Sequence, residues 1–152
     1  MANKDLTNSL SKLEDTLNEY FVKKAPFQLP DGVKDFIVSF GPWITLIVLI
    51  TTLPIILVAL GLSAVLTPFA LLAGPSTAAG WGLGTILILA VIVLEAFALP
   101  GLFKRKKSGW NLIFYASLVS VISSVVSLNL LGAVINAVIG WYFLFQIRSH
   151  YK

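Results

Sequence analysis

The chain is organised around four consecutive cations, Lys104, Arg105, Lys106 and Lys107. The apolar run before them, residues 80–103, carries a single charged side chain, Glu95, and the run after them, residues 109–147, carries none. Apolar runs of about 20 residues have the length that crosses a bilayer's hydrocarbon as a helix. A basic cluster between two such spans is expected on the cytoplasmic side. The cluster therefore predicts the direction in which every other segment crosses.

The composition also indicates a membrane protein. The 152 residues are 57% hydrophobic and 12% charged, with a mean hydropathy of +0.90, whereas a soluble domain carries roughly 25% charged residues. The apolar runs are continuous and do not alternate as the strands of a membrane β-barrel do. We therefore predict an all-α integral membrane protein with four transmembrane helices arranged as two hairpins.

The domain boundaries follow from the breaks between apolar runs. We predict an N-terminal segment over residues 1–41, a four-helix domain over 42–148 and a tail over 149–152. The spans are expected at about 43–62, 81–103, 110–127 and 130–147. Residues 63–79 are apolar but contain Pro68 and Gly74-Pro75, so we expect a re-entrant or interfacial segment there on the outer side. A break at Gly41-Pro42 is expected to separate a short helix, 32–40, from the first span.

The charges predict the topology. With residues 104–107 inside, both termini are cytoplasmic and all 11 Lys and Arg residues fall on that side, as the positive-inside rule requires. The start of the chain lacks the basic-then-apolar pattern of a cleaved signal peptide. The net charge of +4 is therefore assigned to membrane edges, so the bilayer is the expected partner and nucleic acid is not. Trp43, Trp110 and Trp141 are expected at the inner interface and Trp81 at the outer one.

Residues 1–24 predict an amphipathic cytoplasmic helix. Its apolar stripe has heptad spacing: Leu6, Leu10, Leu13, Leu17 and Tyr20. One interpretation is a helix lying flat on the leaflet, and the other is a helix that self-associates or binds a cytoplasmic protein. Within residues 1–20 two lysines face four carboxylates, which weakens attraction to anionic lipid. Both interpretations stay open.

Glu95 is the candidate intramembrane polar residue. It lies nine residues before Lys104, which is roughly 13 Å along a helix, so it is well below the headgroups. Pro100 removes the helical hydrogen bond to the carbonyl of Ala96, one turn away. A carboxylate near a broken backbone bond suits an ion or proton site, whereas the alternative is a neutral Glu that joins helices by a hydrogen bond. Asn136 is the expected polar partner.

Small and hydroxyl-bearing residues recur at helical spacing in the last two spans: Ser117, Ser120, Ser124 and Ser127, followed by Gly132, Asn136 and Gly140. Small residues at such spacings let helix backbones approach, and Ser or Asn can bond across. We predict that these two faces pack the third span on the fourth. A polar pore lining made from the same serines is the alternative.

Catalytic patterns are missing from these 152 residues. Cysteine is absent and His150 is the only histidine, so no metal, haem or thiolate centre is expected. The sequence contains no nucleophile elbow, phosphate-binding glycine loop or zinc-protease motif. We predict a non-enzymatic protein without a cofactor.

Three stretches carry a family resemblance: VKKAPFQLP at 22–30, KRKKSGWNLIFYASL at 104–118 and FLFQIRSHYK at 143–152. They are similar to a family of small multi-span membrane proteins from candidate-phyla, Patescibacteria-type bacteria. The resemblance covers nearly the whole chain, implies a bacterial inner-membrane location and transfers no functional residue. The chain also looks like the small multidrug resistance transporters, which use four spans and one intramembrane Glu, although there the Glu lies in the first span.

Two functions follow as hypotheses. The first is a homo-oligomeric membrane scaffold or interaction protein that uses the stripe of residues 6–20. The second is a small channel or proton-coupled transporter that uses Glu95.

Overall fold

The computed structural model describes residues 2–152, with the side chains of residues 2, 3, 77, 78 and 81 outside the description. The expected outer-interface position of Trp81 therefore falls outside the described residues. All regular structure between residues 2 and 152 is helical. The six α-helices are α1 Ala2–Asn18, α2 Asp31–Leu72, α3 Pro75–Phe103, α4 Lys107–Val126, α5 Leu130–Ile135 and α6 Trp141–Gln146. A π-helical turn, Glu19–Lys23, continues α1, another, Asn136–Gly140, joins α5 to α6, and a 3-10 turn, Arg148–His150, follows α6.

Four of these helical segments are long and apolar enough to cross a membrane, judged by length and composition: Asp31–Leu72, Gly82–Phe103, Lys107–Val126 and Leu130–His150. This confirms the predicted all-α bundle with four candidate spans. The last span contains α5, α6 and the turns beside them, so it is one interrupted helix and not two crossings.

Helix α2 is longer than the sequence predicts. It runs for 42 residues with Pro42, Pro54 and Pro68 inside it. The break expected at Gly41-Pro42 is absent, and residues 63–79 do not form a separate segment, because α2 continues to Leu72 and α3 begins at Pro75. Each proline removes only one helical bond, and in an apolar environment the remaining bonds have no water to compete with them. At roughly 63 Å, α2 exceeds the hydrocarbon thickness of about 30 Å.

The helices are neighbours in chain order. Helix α3 packs against both α2 and α4, and α4 packs against α5 and the π-helical turn after it. The α2–α3 connection turns at Gly74, whose φ of 126° only glycine adopts readily. The α4–α5 connection turns at Leu128, and Asn129 then caps α5 by accepting a hydrogen bond from the amide of Gly132 at 3.0 Å.

The closest backbone approach joins α3 to α4 at Gly101 and Gly109. A Cβ atom on Gly109 would lie 2.5 Å from the carbonyl carbon of Gly101 and from the amide nitrogen of Leu102. A Cβ atom on Gly101 would lie 2.7 Å from Gly109. Two glycines are therefore required where the chain reverses around the four cations, a contact that the sequence analysis did not identify.

The packed core lies at one end of the bundle. We call this the basic end, because it contains residues 104–107, α1 and the C-terminal residues, and we call the opposite end the far end. The largest buried side chains of the basic end are Val38, Trp110, Phe114 and Phe145. Trp110 was expected at the inner interface, but it is 0% exposed because rings of Phe114 and Phe145 flank it and its Nε1 donates to the carbonyl of Leu144 at 2.8 Å.

Candidate functional site: the Glu95 cleft

Helices α2, α3 and α4 enclose a cleft of about 310 Å³ near the middle of the bundle. Its polar lining consists of Glu95 from α3, Thr52 from α2 and Ser120, Ser123 and Ser124 from α4. The remaining lining is aliphatic side chains of α2 and α3. The cleft is therefore an apolar space with one ionisable group and a row of hydroxyls opposite it.

Helical periodicity explains how distant residues meet there. Residues 88, 91, 92 and 95 of α3 line the cleft, and their spacing of three and four places them on one face. Residues 48, 49, 52, 53 and 56 of α2 and 120, 123 and 124 of α4 follow the same rule. Each helix thus contributes one stripe, and Glu95 is the only charged member of the three stripes.

Glu95 is half-buried, and it makes no hydrogen bond or ion pair with any described residue. The hydroxyl of Ser123, in the same cleft, likewise has no partner in the described part of the chain. A Glu that serves only to join helices needs a partner on a neighbouring helix. Its carboxyl group instead lines an open space.

Pro100 and Asn136 do not join Glu95 in the cleft. Pro100 is exposed and continues α3, and a separation of five residues places it on a different face of the helix from Glu95. Asn136 lies on the other side of α4, where its Nδ2 donates to the hydroxyl oxygen of Ser120 at 3.0 Å. Only Ser120 connects the two predicted polar partners, because it also lines the cleft.

The serines of α4 divide between two surroundings. Ser117 donates to the carbonyl of Phe114 at 2.6 Å and accepts a bond from Nε1 of Trp141 at 3.0 Å. Ser120 accepts from Asn136 while Ser124 donates to the carbonyl of Ser120 at 3.0 Å. Ser117 therefore contacts the last span, Ser123 and Ser124 line the cleft, and Ser120 does both.

The other small residues of the predicted packing faces lie at the end of α4 and in the last span. Ser127 ends α4 and is exposed. A Cβ atom on Gly132 would meet the side chain of Asn129 at 2.5 Å, and one on Gly140 would meet Oδ1 of Asn136 at 3.3 Å. These glycines make room for asparagine side chains of their own segment. Helix α4 packs against α5, which contains Gly132, and against the π-helical turn that contains Gly140.

The predicted stripe of α1 is used in part. Leu17 packs against the core and Leu10 is half-buried, whereas Leu6, Leu13 and Tyr20 are exposed. These three exposed residues recur every seven positions. One heptad row of the N-terminal helix thus faces its own bundle, and the other row is exposed, with the Lys24 ammonium 4.9 Å from the centre of the Tyr20 ring.

A set of hydrogen bonds from the last span holds the N-terminal segment. The side chain of Gln146 donates to the carbonyl of Phe21 at 3.1 Å and accepts from the amide of Leu29 at 3.3 Å. The hydroxyl of Tyr142 donates to the carbonyl of Phe27 at 2.6 Å. We call these hydrogen bonds the clamp. They were not predicted from the sequence, although a single glutamine near the end of an apolar span indicates a polar contact there.

A salt bridge also joins the N-terminal segment to the C-terminal residues, and hydrogen bonds hold the turn that contains residues 104–107. Arg148 pairs with Glu14 of α1. Arg105 donates to the hydroxyl of Ser39 at 2.9 Å, and its carbonyl accepts from the amide of Lys152 at 3.0 Å. The residues predicted to set topology therefore also make tertiary contacts.

Comparison with protein-family models, with curated proteins and with solved structures finds no match to this chain. The chemistry of the cleft is therefore argued from its own residues. One carboxyl group among aliphatic walls can hold a proton or attract a cation, and nearby hydroxyls can orient either. Among the described residues that line the cleft, Glu95 is the only ionisable one.

Proposed function

We propose that this protein is a non-enzymatic, multi-pass protein of a bacterial inner membrane. It would move a proton, or a small cation with apolar substituents, through the Glu95 cleft. The observation that carries the proposal is the unpaired carboxyl group of Glu95 in a cleft between three candidate spans. Intramembrane carboxyl groups are rare because charge is costly there, and most mark ion or proton pathways.

The hydroxyl row of α4 supports the same function. Ser123 and Ser124 lie across the cleft from α3, so a bound cation would have both a counter-charge and neutral acceptor oxygens. The aliphatic walls favour a cation with apolar substituents over a hydrated metal ion. A small channel or a proton-coupled transporter fits these features.

The distribution of charge supports the orientation with both termini in the cytoplasm. Lysines and arginines occur in α1, in the first turn of α2, between α3 and α4 and after α6. All of these positions lie at the basic end. The positive-inside rule assigns that end to the cytoplasm, and the family resemblance supports a bacterial inner membrane.

The test compares Glu95→Gln with the unaltered protein in liposomes. We expect the unaltered protein to dissipate a pH gradient, read with a trapped pH-sensitive dye, and to bind benzyltrimethylammonium as a permanently charged probe. Because Gln keeps the shape and removes the charge, Glu95→Gln should abolish both signals. Glu95→Asp should keep part of each.

Glu19→Gln is the matched control, because it makes the same chemical change at an exposed carboxylate outside the candidate spans. It should leave flux and probe binding unchanged. Equal flux in Glu95→Gln and the unaltered protein would refute the proposal. A thermal unfolding measurement verifies that both proteins are folded.

A homo-oligomeric scaffold is the second candidate, supported by the exposed row of Leu6, Leu13 and Tyr20 on α1. The test is the particle mass in nanodiscs of Leu6→Ser/Leu13→Ser. An oligomer that dissociates would favour the scaffold, and added cytoplasmic extract would then reveal whether another protein uses the same row. A protein that is monomeric with and without the substitutions would exclude self-association through α1.

A further inference from the structure

A second cavity, of about 400 Å³, lies at the basic end, far from Glu95. Three cations from separate parts of the chain line it: Lys34 in the first turn of α2, Lys107 at the start of α4 and Arg148 after α6. No Asp or Glu among the described residues lines it. The cavity is therefore a basic pocket assembled only by the tertiary fold.

The charges of Lys34 and Lys107 are not fully neutralised by nearby carboxylates, whereas that of Arg148 is. Arg148 pairs with Glu14, which neutralises it from outside the pocket. Lys34 is 14% exposed, and its nearest carboxylate is Asp31 at 3.4 Å, which is 91% exposed. A water-exposed partner stabilises a poorly solvated ammonium weakly. Lys107 makes no salt bridge within residues 2–152, so the pocket keeps a positive excess.

Tyr151 supplies a neutral donor to the same pocket. Its side chain is 6% exposed and lines the cavity, and its hydroxyl has no hydrogen-bond partner among the described residues. Burial raises the pKa of the Tyr151 hydroxyl, against a smaller opposing effect of Arg105. The hydroxyl therefore stays protonated and able to donate at neutral pH. The hydroxyl is not one of the fully enclosed side-chain atoms that lack a partner, so it is accessible from outside the chain and can donate to a bound group.

We propose that this basic pocket binds a phosphate group, carried either by an anionic lipid headgroup or by a soluble phosphate compound. Two lysines, one arginine and one hydroxyl donor match the several acceptor oxygens and the negative charge of a phosphate. The pocket lies where candidate spans α2 and α4 begin, and the ends of spans are where a phosphate headgroup can reach basic side chains. The inference is independent of the Glu95 cleft.

The lipid arm of the test is native mass spectrometry of the full chain in detergent, titrated with phosphatidylglycerol or with phosphatidylcholine. We expect the first phosphatidylglycerol to bind more tightly than phosphatidylcholine. Lys34→Gln/Lys107→Gln should weaken that first binding roughly 25-fold, at roughly fivefold for each lysine. Lys104→Gln/Lys106→Gln, which removes the same charge from cations that do not line the pocket, should weaken it less than about twofold if the pocket is specific.

The soluble arm is thermal unfolding of the same proteins in neutral detergent with inorganic phosphate. A rise in Tm for the unaltered protein that Lys34→Gln/Lys107→Gln abolishes, without a preference for phosphatidylglycerol, would assign the site to a soluble phosphate. Both a lipid preference and a Tm rise would show one site open to either source.

The proposal is overturned if the unaltered protein shows neither response, or if the two double variants weaken lipid binding equally. Should Lys34→Gln/Lys107→Gln fail to fold, Tyr151→Phe provides the second variant. It removes one uncharged donor, and a roughly tenfold loss of phosphatidylglycerol or phosphate affinity is expected. Unchanged affinity in Tyr151→Phe would then overturn the proposal.

Discussion

The basic end and the far end of the bundle are both rich in apolar residues, but they use them differently. At the basic end the rings of Trp110, Phe114 and Phe145 lie 5.3–5.6 Å apart and are almost fully buried. At the far end Leu72 and Leu128 are each 84% exposed. Large aromatic rings can close a core inside a single chain, whereas aliphatic helices surrounded by lipid have no hydrophobic driving force to pack on each other. We therefore expect side chains at the basic end to contribute most to the free energy of unfolding.

The largest expected effect comes from removing the centre of that core. Trp110→Ala should lower the free energy of unfolding by about 3–5 kcal/mol, because it deletes a fully buried ring and the hydrogen bond to the carbonyl of Leu144. Thermal unfolding in detergent measures the loss. Trp43→Ala is the control, since Trp43 is 56% exposed and lies outside the core. Equal losses in the two variants would contradict the contrast between the ends.

The next effect tests the close approach of α3 and α4. Gly109→Ala should cost about 1–3 kcal/mol or more, because the added Cβ would lie 2.5 Å from the backbone of Gly101 and Leu102. Gly61→Ala in α2 makes the same change where nothing lies within 4 Å. It should be neutral or slightly stabilising, by up to about 1 kcal/mol. Comparable destabilisation at both glycines would exclude a specific tight corner.

The clamp on the N-terminal segment should give a local effect. Gln146→Leu keeps the volume but leaves the carbonyl of Phe21 and the amide of Leu29 unpaired, at a cost of about 1–3 kcal/mol. Hydrogen–deuterium exchange should then accelerate over residues 19–30 and remain unchanged in α3. Gln28→Leu should produce a smaller change, because the exposed Gln28 side chain donates to the carbonyl of Val22 within the same N-terminal segment. Faster exchange throughout the chain would mean that Gln146 supports the whole bundle and not the clamp.

The smallest effect is a pH dependence. Burial raises the pKa of Tyr151 above the ordinary value for tyrosine of about 10, so its contribution to stability is fully present below pH 10 and is lost as the pH rises through the pKa of the folded state. The Tm of the unaltered protein should therefore fall more steeply above pH 10 than that of Tyr151→Phe. Parallel curves for the two proteins would show that this hydroxyl does not titrate differently on folding.

Features that depend on one continuous segment of the chain were predictable from the sequence. The continuous apolar runs predicted four candidate spans because helix length and hydropathy are properties of single segments. Glu95 was recognisable because it is the only charge between residues 36 and 103. The extent of α2 was not predictable in the same way, since whether Pro42 ends or continues a helix depends on its surroundings.

The cleft itself depended on long-range packing. Spacing predicted that the α4 serines share a face, but it could not divide them between Trp141 and Asn136 on one side and Glu95 on the other. Gly132 and Gly140 have the spacing of helix-packing residues, yet the space beside them is filled by Asn129 and Asn136. A spacing rule names a face of a helix, and only the neighbours decide what that face contacts.

The all-α class, the candidate spans and the isolation of Glu95 could be predicted from the sequence, because each is a property of one continuous stretch of residues. The tertiary structure decided that Trp110 is core, that Gln146 clamps the N-terminal segment and that Lys34, Lys107 and Arg148 share a pocket. These residues are separated by tens of positions, and their meeting depends on helix crossing geometry, which local hydropathy and charge do not encode.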